Sequence, residues 1–218
     1  MSAKPFIIIH LARTPQSGEV DEVILKNGVN LIVGEKDTGK TTWLRMLDYL
    51  MGDDAQPREA FGEEVATKYE TIRATIEVDT ERMVLERRWK ESGARTKVFV
   101  NGEAVPVTEF SQFVLKRLNI PVTYFPKGSP FAERAWPELS WRMLYRHIYR
   151  QERFWNDFAD KQPEVEQTAC LLQFMGAAQA VYPPKYGDLV QRQKDLEKLQ
   201  GEKEAYSALL HSITTELL

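Results

Sequence analysis

Along the first half of the chain the spacing of apolar positions alternates between strand and helix periods. Residues 6–11 form a short apolar run that reads as a buried strand. The polar stretch 13–18, with Pro15 and Gly18, reads as a turn. Residues 20–25 predict a second strand, Asn27-Gly28 a tight hairpin turn, and residues 29–33 a third strand. From 40 to 51, Trp43, Leu44, Met46, Leu47, Leu50 and Met51 recur at three and four, which predicts an amphipathic helix ended by Gly52-Asp53-Asp54. Residues 52–64 are polar and read as a loop. The period then falls to two: Ile72, Ala74, Ile76 and Val78 alternate with Arg73, Thr75, Glu77 and Asp79, as in a half-solvated strand. Residues 83–89 and 97–100 continue the sheet, and Asn101-Gly102 turns the chain back into 104–107. The middle of the chain is therefore expected to be an antiparallel meander.

The second half reads mainly as helix. Thr108 caps a helix carrying Phe110, Phe113, Val114 and Leu118, and Pro121 ends that stretch. Residues 122–125 predict a strand, and 126–137 irregular chain. Ser140 caps a strongly amphipathic helix with Trp141, Leu144, Tyr145, Ile148 and Tyr149 on one side. Residues 165–175 predict a short apolar helix ending at Gly176. After Pro183-Pro184 the pattern becomes heptad-like. Leu189, Leu196, Lys203, Leu210 and Leu217 fall in one core position, and Arg192, Leu199, Tyr206 and Ile213 in the other. Most of these are large and apolar, as in the start of a coiled-coil arm. An ordinary amphipathic surface helix is the alternative. We expect a lobe over residues 1–185 and the root of an arm over 186–218. No Gly, Pro or basic last turn marks a stop at 214–218, so the helix reads as cut in mid-course.

Composition closes off other classes. The chain has 218 residues, 43% hydrophobic and 28% charged, an ordinary globular balance. Its single cysteine, Cys170, allows neither an intrachain disulfide nor a thiolate zinc site, and His10, His147 and His211 are scattered. A net charge of -3 does not favour a dedicated nucleic-acid-binding domain, although it leaves room for a local basic groove. No signal-peptide pattern and no run of about 18 apolar residues occurs, so a reducing, cytoplasmic setting away from the membrane is expected.

The strongest chemical signal lies between the third expected strand and the first helix. Gly34-Glu35-Lys36-Asp37-Thr38-Gly39-Lys40-Thr41 matches G-x-x-x-x-G-K-[ST] at every fixed position. The glycines let the backbone curl so that its N–H groups point at phosphate oxygens. The helix start adds positive partial charge. Lys40 supplies a mobile cation for the β- and γ-phosphates, and the Thr41 hydroxyl, followed by Thr42, is placed to meet Mg²⁺. Further along, Arg142, Arg146 and Arg150 recur every four residues, with Arg153 beyond them. Such a stripe suits DNA phosphates or an acidic partner, and equally a solvated face.

Strand, hairpin, Asn27 to Gly34, phosphate loop and helix together resemble the N-terminal lobe of SMC-like and RecN-like ATPases. These are ABC-type P-loop heads of α/β fold, split in sequence by a long coiled coil. The meander resembles that lobe's antiparallel sheet, and the heptads begin where the family places its arm. Residues 144–151 also resemble the Q-loop region of SMC-like ATPases of bacterial anti-phage systems such as the Lamassu type. The resemblance implies ATP and Mg²⁺ as cofactors. It implies Arg13 as a basic residue near the nucleotide and Gln151 as a residue reaching Mg²⁺ and the attacking water; a solvated turn arginine and a surface glutamine are the alternatives. It further implies a C-terminal lobe, a second identical head, and DNA with a nuclease or other effector as partners. The loop departs from the family's usual G-P-N-G-S-G-K-S-T at Lys36 and Asp37. An acid beside phosphates is unfavourable unless it points away or pairs, for example with Lys36.

Two family elements are missing. No apolar run ends in Asp-Glu; residues 75–79 come nearest, and Glu77 interrupts them. No signature of the L-S-G-G type occurs. In the family both belong to the C-terminal lobe. The expected function is ATP binding and, in a complete head, ATP hydrolysis driving head dimerisation in DNA repair, chromosome maintenance or anti-phage defence. A stand-alone P-loop nucleotide switch or interaction module is the alternative, disfavoured because neither D-x-x-G nor N-K-x-D is present. A small-molecule kinase fits the meander and the heptads less well.

Overall fold

The computed structural model describes residues 4–36, 38–93, 96–126, 136–150, 156, 162–183, 188–189, 192, 195–196, 198–204 and 206–207. The chain divides into two units, Met1–Pro121 with Ser140–Trp155, and Val122–Leu139 with Asn156–Leu218.

The first unit is mixed α/β and is built on an antiparallel sheet. Its six strands are β1 (Phe6–Pro15), β2 (Asp21–Ile24), β3 (Tyr69–Val78), β4 (Glu81–Arg88), β5 (Lys97–Val100) and β6 (Glu103–Pro106), in the order β2-β1-β3-β4-β5-β6. The register aligns Leu11 with Ala74, Ala74 with Leu85, and Leu85 with Val100. Facing residues share a side of the sheet, so this row forms one buried apolar stripe. Asn101 and Gly102 both take positive φ, 51° and 90°, as the β5–β6 hairpin demands. The Asn101 side chain also accepts from the Val84 N–H at 2.8 Å, tying the turn back to β4.

Helices cover the buried side. They are α1 (Lys40–Leu50), α2 (Pro57–Phe61), α3 (Glu63–Lys68), α4 (Val107–Arg117) and α5 (Trp141–Ile148). α1 buries Trp43, Met46, Leu47 and Leu50, as its periodicity predicts, together with Tyr49, whereas the expected Leu44 is exposed. α4 buries Phe110, Val114 and Leu115; Pro106, not Thr108, occupies its N-cap. Ser140 caps α5 as expected, its hydroxyl accepting from the Met143 N–H at 3.2 Å. The opposite side of the sheet is half-solvated, with ion pairs such as Arg73–Glu86 and Arg82–Glu77.

Several expectations need correction. β1 continues through the stretch expected to be a turn, because it is flanked on both sides, by β2 and β3, and the paired ladder carries it to Pro15. Arg13 is therefore a strand residue. The polar segment 52–64 contains α2 and the start of α3; a reciprocal capping box between Gln56 and Glu59, with Pro57 at the first turn, starts α2. Residues 29–33 form no strand. Asn30 closes the preceding loop on itself, accepting from the Lys26 N–H at 2.8 Å and donating to the Lys26 carbonyl at 2.7 Å. Val29, Leu31 and Val33 stand exposed, at 100, 84 and 79%. An apolar strand of this kind needs parallel neighbours to cover both faces, and the described sheet supplies none.

The second unit holds α6 (Glu164–Phe174) and α7 (Ala178–Val181). Gly176, at φ 72°, follows the end of α6 as its sequence predicts. The expected strand 122–125 is reduced to a bridge between Tyr124 and Glu138. Gln179 donates to the Thr123 hydroxyl at 2.6 Å, and Phe125, Leu139, Ala169, Cys170 and Ala178 are buried. Further on, the described residues from 188 to 207 are helical. Leu189, Leu196, Leu199 and Tyr206 of the heptad seam are all exposed. Leu210, Ile213 and Leu217 lie outside the described residues. Among the described residues no helix is long and apolar enough to cross a membrane.

Candidate phosphate-binding site

The loop before α1 is closed from inside by its own lysine. Lys40 Nζ donates to the Gly34 carbonyl at 2.9 Å and to the Glu35 carbonyl, and lies 3.3 Å from Thr38 Oγ1. The Thr38 hydroxyl donates to the Glu35 carbonyl at 2.8 Å. These bonds hold the ammonium across the loop. Gly39 takes a left-handed conformation, φ 82° and ψ 13°, and caps α1 without any side-chain bond. Its carbonyl accepts from the Trp43 N–H at 3.1 Å, closing the first turn. The N–H groups at the start of α1 therefore have no acceptor within the helix, and no side chain caps them. A bound anion could accept from them.

Gly34 is required for a different reason. A Cβ there would sit 2.9 Å from Thr38 Oγ1, which is itself held by the Glu35 carbonyl. Gly34→Ala should force the loop open and, on the nucleotide-binding reading proposed below, lower ATP affinity by about tenfold, or about 1.4 kcal/mol. Thr38→Ala in the same background should recover part of that loss. An alanine at 34 with wild-type affinity would contradict this.

Arg13 approaches the same point from the sheet. Its guanidinium lies between two rings, 4.3 Å from the centroid of Trp43 and 4.3 Å from that of Tyr69. Nε donates to Asp21 Oδ2 at 2.9 Å, and the Tyr69 hydroxyl donates to the same oxygen at 2.5 Å. The two Nη atoms face Gly39, each 3.9 Å from where a Cβ would stand. No hydrogen bond from either Nη to a described residue is formed. Both β1–β2 pairing of Arg13 with Asp21 and stacking on α1 thus aim two donors at the loop. The Asp21 carboxyl is held below its ordinary value, first by the Tyr69 hydroxyl; burial opposes this next, and Arg13 adds to the lowering. Its charged form favours the fold, so this contribution is present at neutral pH and is lost as pH falls through the depressed value. In urea unfolding, the stability advantage of wild type over Asp21→Asn should shrink steadily toward acid pH. A constant gap would contradict the contact.

The other expected residues fall as follows. Glu35 and Lys36 are exposed, Thr41 is exposed and Thr42 half-buried. Asp37, Gln151 and Arg153 lie outside the described residues. Arg142 is not open to a phosphate stripe, because its guanidinium is bound to Asp48 and Asp53. Trp43, Tyr69 and Asp21 were not expected as site residues. The Arg13–Asp21 pairing was missed because residues 13–18 read as a turn, and the two rings come from distant elements and left no local sequence signal.

Lys40 thus spans one end of the loop, and the Arg13 Nη pair stands beside Gly39 at the start of α1, with Asp21 bonded to Arg13. Cations are unfavourable at that end of a helix, so the arrangement suits a polyanion. Among the described residues no group of three or more His, Cys, Asp or Glu could hold a metal. By its position after Lys40, the Thr41 hydroxyl could meet a Mg²⁺ ion carried on phosphate oxygens. A separate cleft of about 540 Å³ between Lys4, the β3–β4 turn and α4 shares no residue with the loop. Its Lys4 and Arg117 are paired with Asp79 and Glu81. No protein-family model matches the chain, and no curated protein matches it either.

Proposed function

We propose that this chain is the N-terminal lobe of an ABC-type ATPase head of the SMC-like and RecN-like kind, binding ATP with Mg²⁺ at the Gly34 to Thr41 loop. The observation that carries the reading is that one loop meets two cations, Lys40 Nζ at the Gly34 and Glu35 carbonyls and the Arg13 Nη pair beside Gly39 at the open start of α1. The loop amides and Arg13 would bind and orient the phosphates. Lys40 would release its loop carbonyls for the β- and γ-phosphates. Mg²⁺ would neutralise charge between those phosphates, with Thr41 as a ligand and Gln151 as a further one.

Two further features support a half-head over a stand-alone switch. Residues 29–33 lead into the loop with an exposed apolar run. Parallel strands of a C-terminal lobe would cover it. The helical residues from 188 onward keep Leu189, Leu196, Leu199 and Tyr206 exposed in heptad register, as an arm awaiting its returning helix would. In this reading two heads close on ATP and reopen on hydrolysis, moving the arms and any bound DNA or nuclease. The setting is cytoplasmic and belongs to repair, chromosome maintenance or anti-phage defence. The acidic pair that orients water and the signature that closes the nucleotide come from the C-terminal lobe. The purified 218-residue chain should therefore bind ATP·Mg²⁺ without turning it over. Phosphate release by this chain that depends on Lys40 would overturn the half-head reading in favour of a self-sufficient P-loop module.

A further inference from the structure

α1 ends in an electrostatic conflict. Asp48 sits in its last turn, where the helix already concentrates negative charge, and Asp53 follows just beyond. Burial pushes the Asp48 carboxyl up from its ordinary value, with Arg142 opposing that rise. Two arginines from different elements meet this end. Arg87 of β4 is fully buried and donates through Nη1 to the Tyr49 and Asp53 carbonyls at 3.0 and 3.1 Å. Arg142 of α5 donates through Nη1 to the Asp48 carbonyl at 3.1 Å and to its carboxylate, while Nη2 lies 3.3 Å from Asp53 Oδ2.

The two arginines do different things. Arg87 fixes α1 to the sheet. Arg142 fixes α5 to α1. Neither helix depends on Arg142 for its docking. α5 is anchored by buried Trp141, Leu144 and Tyr145, by Trp141 against Phe6 at 5.3 Å between centroids, and by the Trp141 N–H on Ser111 Oγ at 2.7 Å. What Arg142 adds is a direct polar bond between the far end of the loop helix and the element that precedes Gln151 in sequence. α1 has 11 residues. At about 1.5 Å per residue it is a rod of about 16 Å with the phosphate loop at one end and Arg142 at the other.

We infer that Arg142 is a positioning residue that couples occupancy of the phosphate loop to α5 through Asp48 and Asp53. The inference rests on the nucleotide-binding reading above. A shift of α1 on phosphate binding moves its C-terminal carbonyls and Asp48, and three polar contacts carry that shift into α5. Apolar contacts alone would let the two helices slide, because dispersion is non-directional where a guanidinium fork is not.

Hydrogen exchange of the α5 backbone in the 218-residue chain, with and without saturating ATP·Mg²⁺, tests it. In wild type, nucleotide should slow exchange at the α5 amides by at least about fivefold, the lower range of site-to-site coupling. Arg142→Gln should abolish that response, while its ATP affinity stays within about fivefold of wild type, the most that loss of such a coupling withdraws. Arg142→Lys should keep part of the response, because one ammonium can still reach Asp48. Asp53→Asn, which removes the charge from the outer contact, should weaken it. If Arg142→Gln does not fold, graded loss in the last two variants supports the coupling and an undiminished response in both overturns it. Wild-type protein that binds ATP with no change in α5 would overturn the coupling alone. Wild-type protein that does not bind ATP would overturn both the coupling and the nucleotide reading.

Discussion

Replacing Lys40 by Ala should cost about 10- to 100-fold in ATP affinity while leaving the fold intact, the scale of losing charge-assisted hydrogen bonds. The side chain is half-buried and, among the described residues, bonds to the Gly34 and Glu35 carbonyls and to Thr38, none of them in the core. Removing it leaves those carbonyls facing solvent, where water replaces the ammonium at little cost. A bound triphosphate would have no such replacement. It would lose its nearest mobile cation and meet two carbonyl oxygens instead. Calorimetric titration of wild type and Lys40→Ala, with urea unfolding of both, separates binding from stability. Equal affinity in the two proteins would remove Lys40 from the site.

The largest stability effect should come from Arg87, far from any phosphate. Its side chain is fully buried, and its guanidinium lies 4.0 Å over the Tyr49 ring. Burial pulls its pKa down from the ordinary value, which measures how poorly solvated the charge is. The carbonyls of Tyr49 and Asp53 recover part of that cost as acceptors. Arg87→Met would keep much of the volume but take the Arg87 donor from the Asp53 carbonyl and leave the Tyr49 carbonyl to the Gly52 N–H alone, at 3.2 Å. At about 1–3 kcal/mol for an unsatisfied buried group, the loss should be about 1–3 kcal/mol. A loss below about 1 kcal/mol in urea unfolding would show that these carbonyls find other donors.

Arg87 also marks the limit of what patterning reveals. The alternation along β4 puts it on the same side as Met83 and Leu85, but a charged side chain argues for solvent, and its bonds to the Tyr49 and Asp53 carbonyls help hold it inside. Elements whose signals lie within a few residues were legible. Ile72 to Val78 announced β3, the three-and-four spacing from Trp43 announced α1, and Ser140 announced α5. Residues 29–33 show the converse. Their composition suits a strand, but a strand exists only through neighbours, and none is present in the described sheet. The glycine and lysine spacing identified the loop, because its geometry is set by eight consecutive residues. The Arg13 clamp was only half legible, since Trp43 and Tyr69 reach it from α1 and β3.

The central claim is that Lys40, Arg13 and the start of α1 form one polyanion site. Isothermal titration of the 218-residue chain with ATP·Mg²⁺, with AMP and with adenosine tests it most directly. Binding should be one-to-one for ATP·Mg²⁺, weaker by at least about tenfold for AMP, and undetectable for adenosine, because phosphate charge carries the affinity. Adenosine binding as tightly as ATP·Mg²⁺, or no binding of ATP·Mg²⁺ at all, would contradict the account.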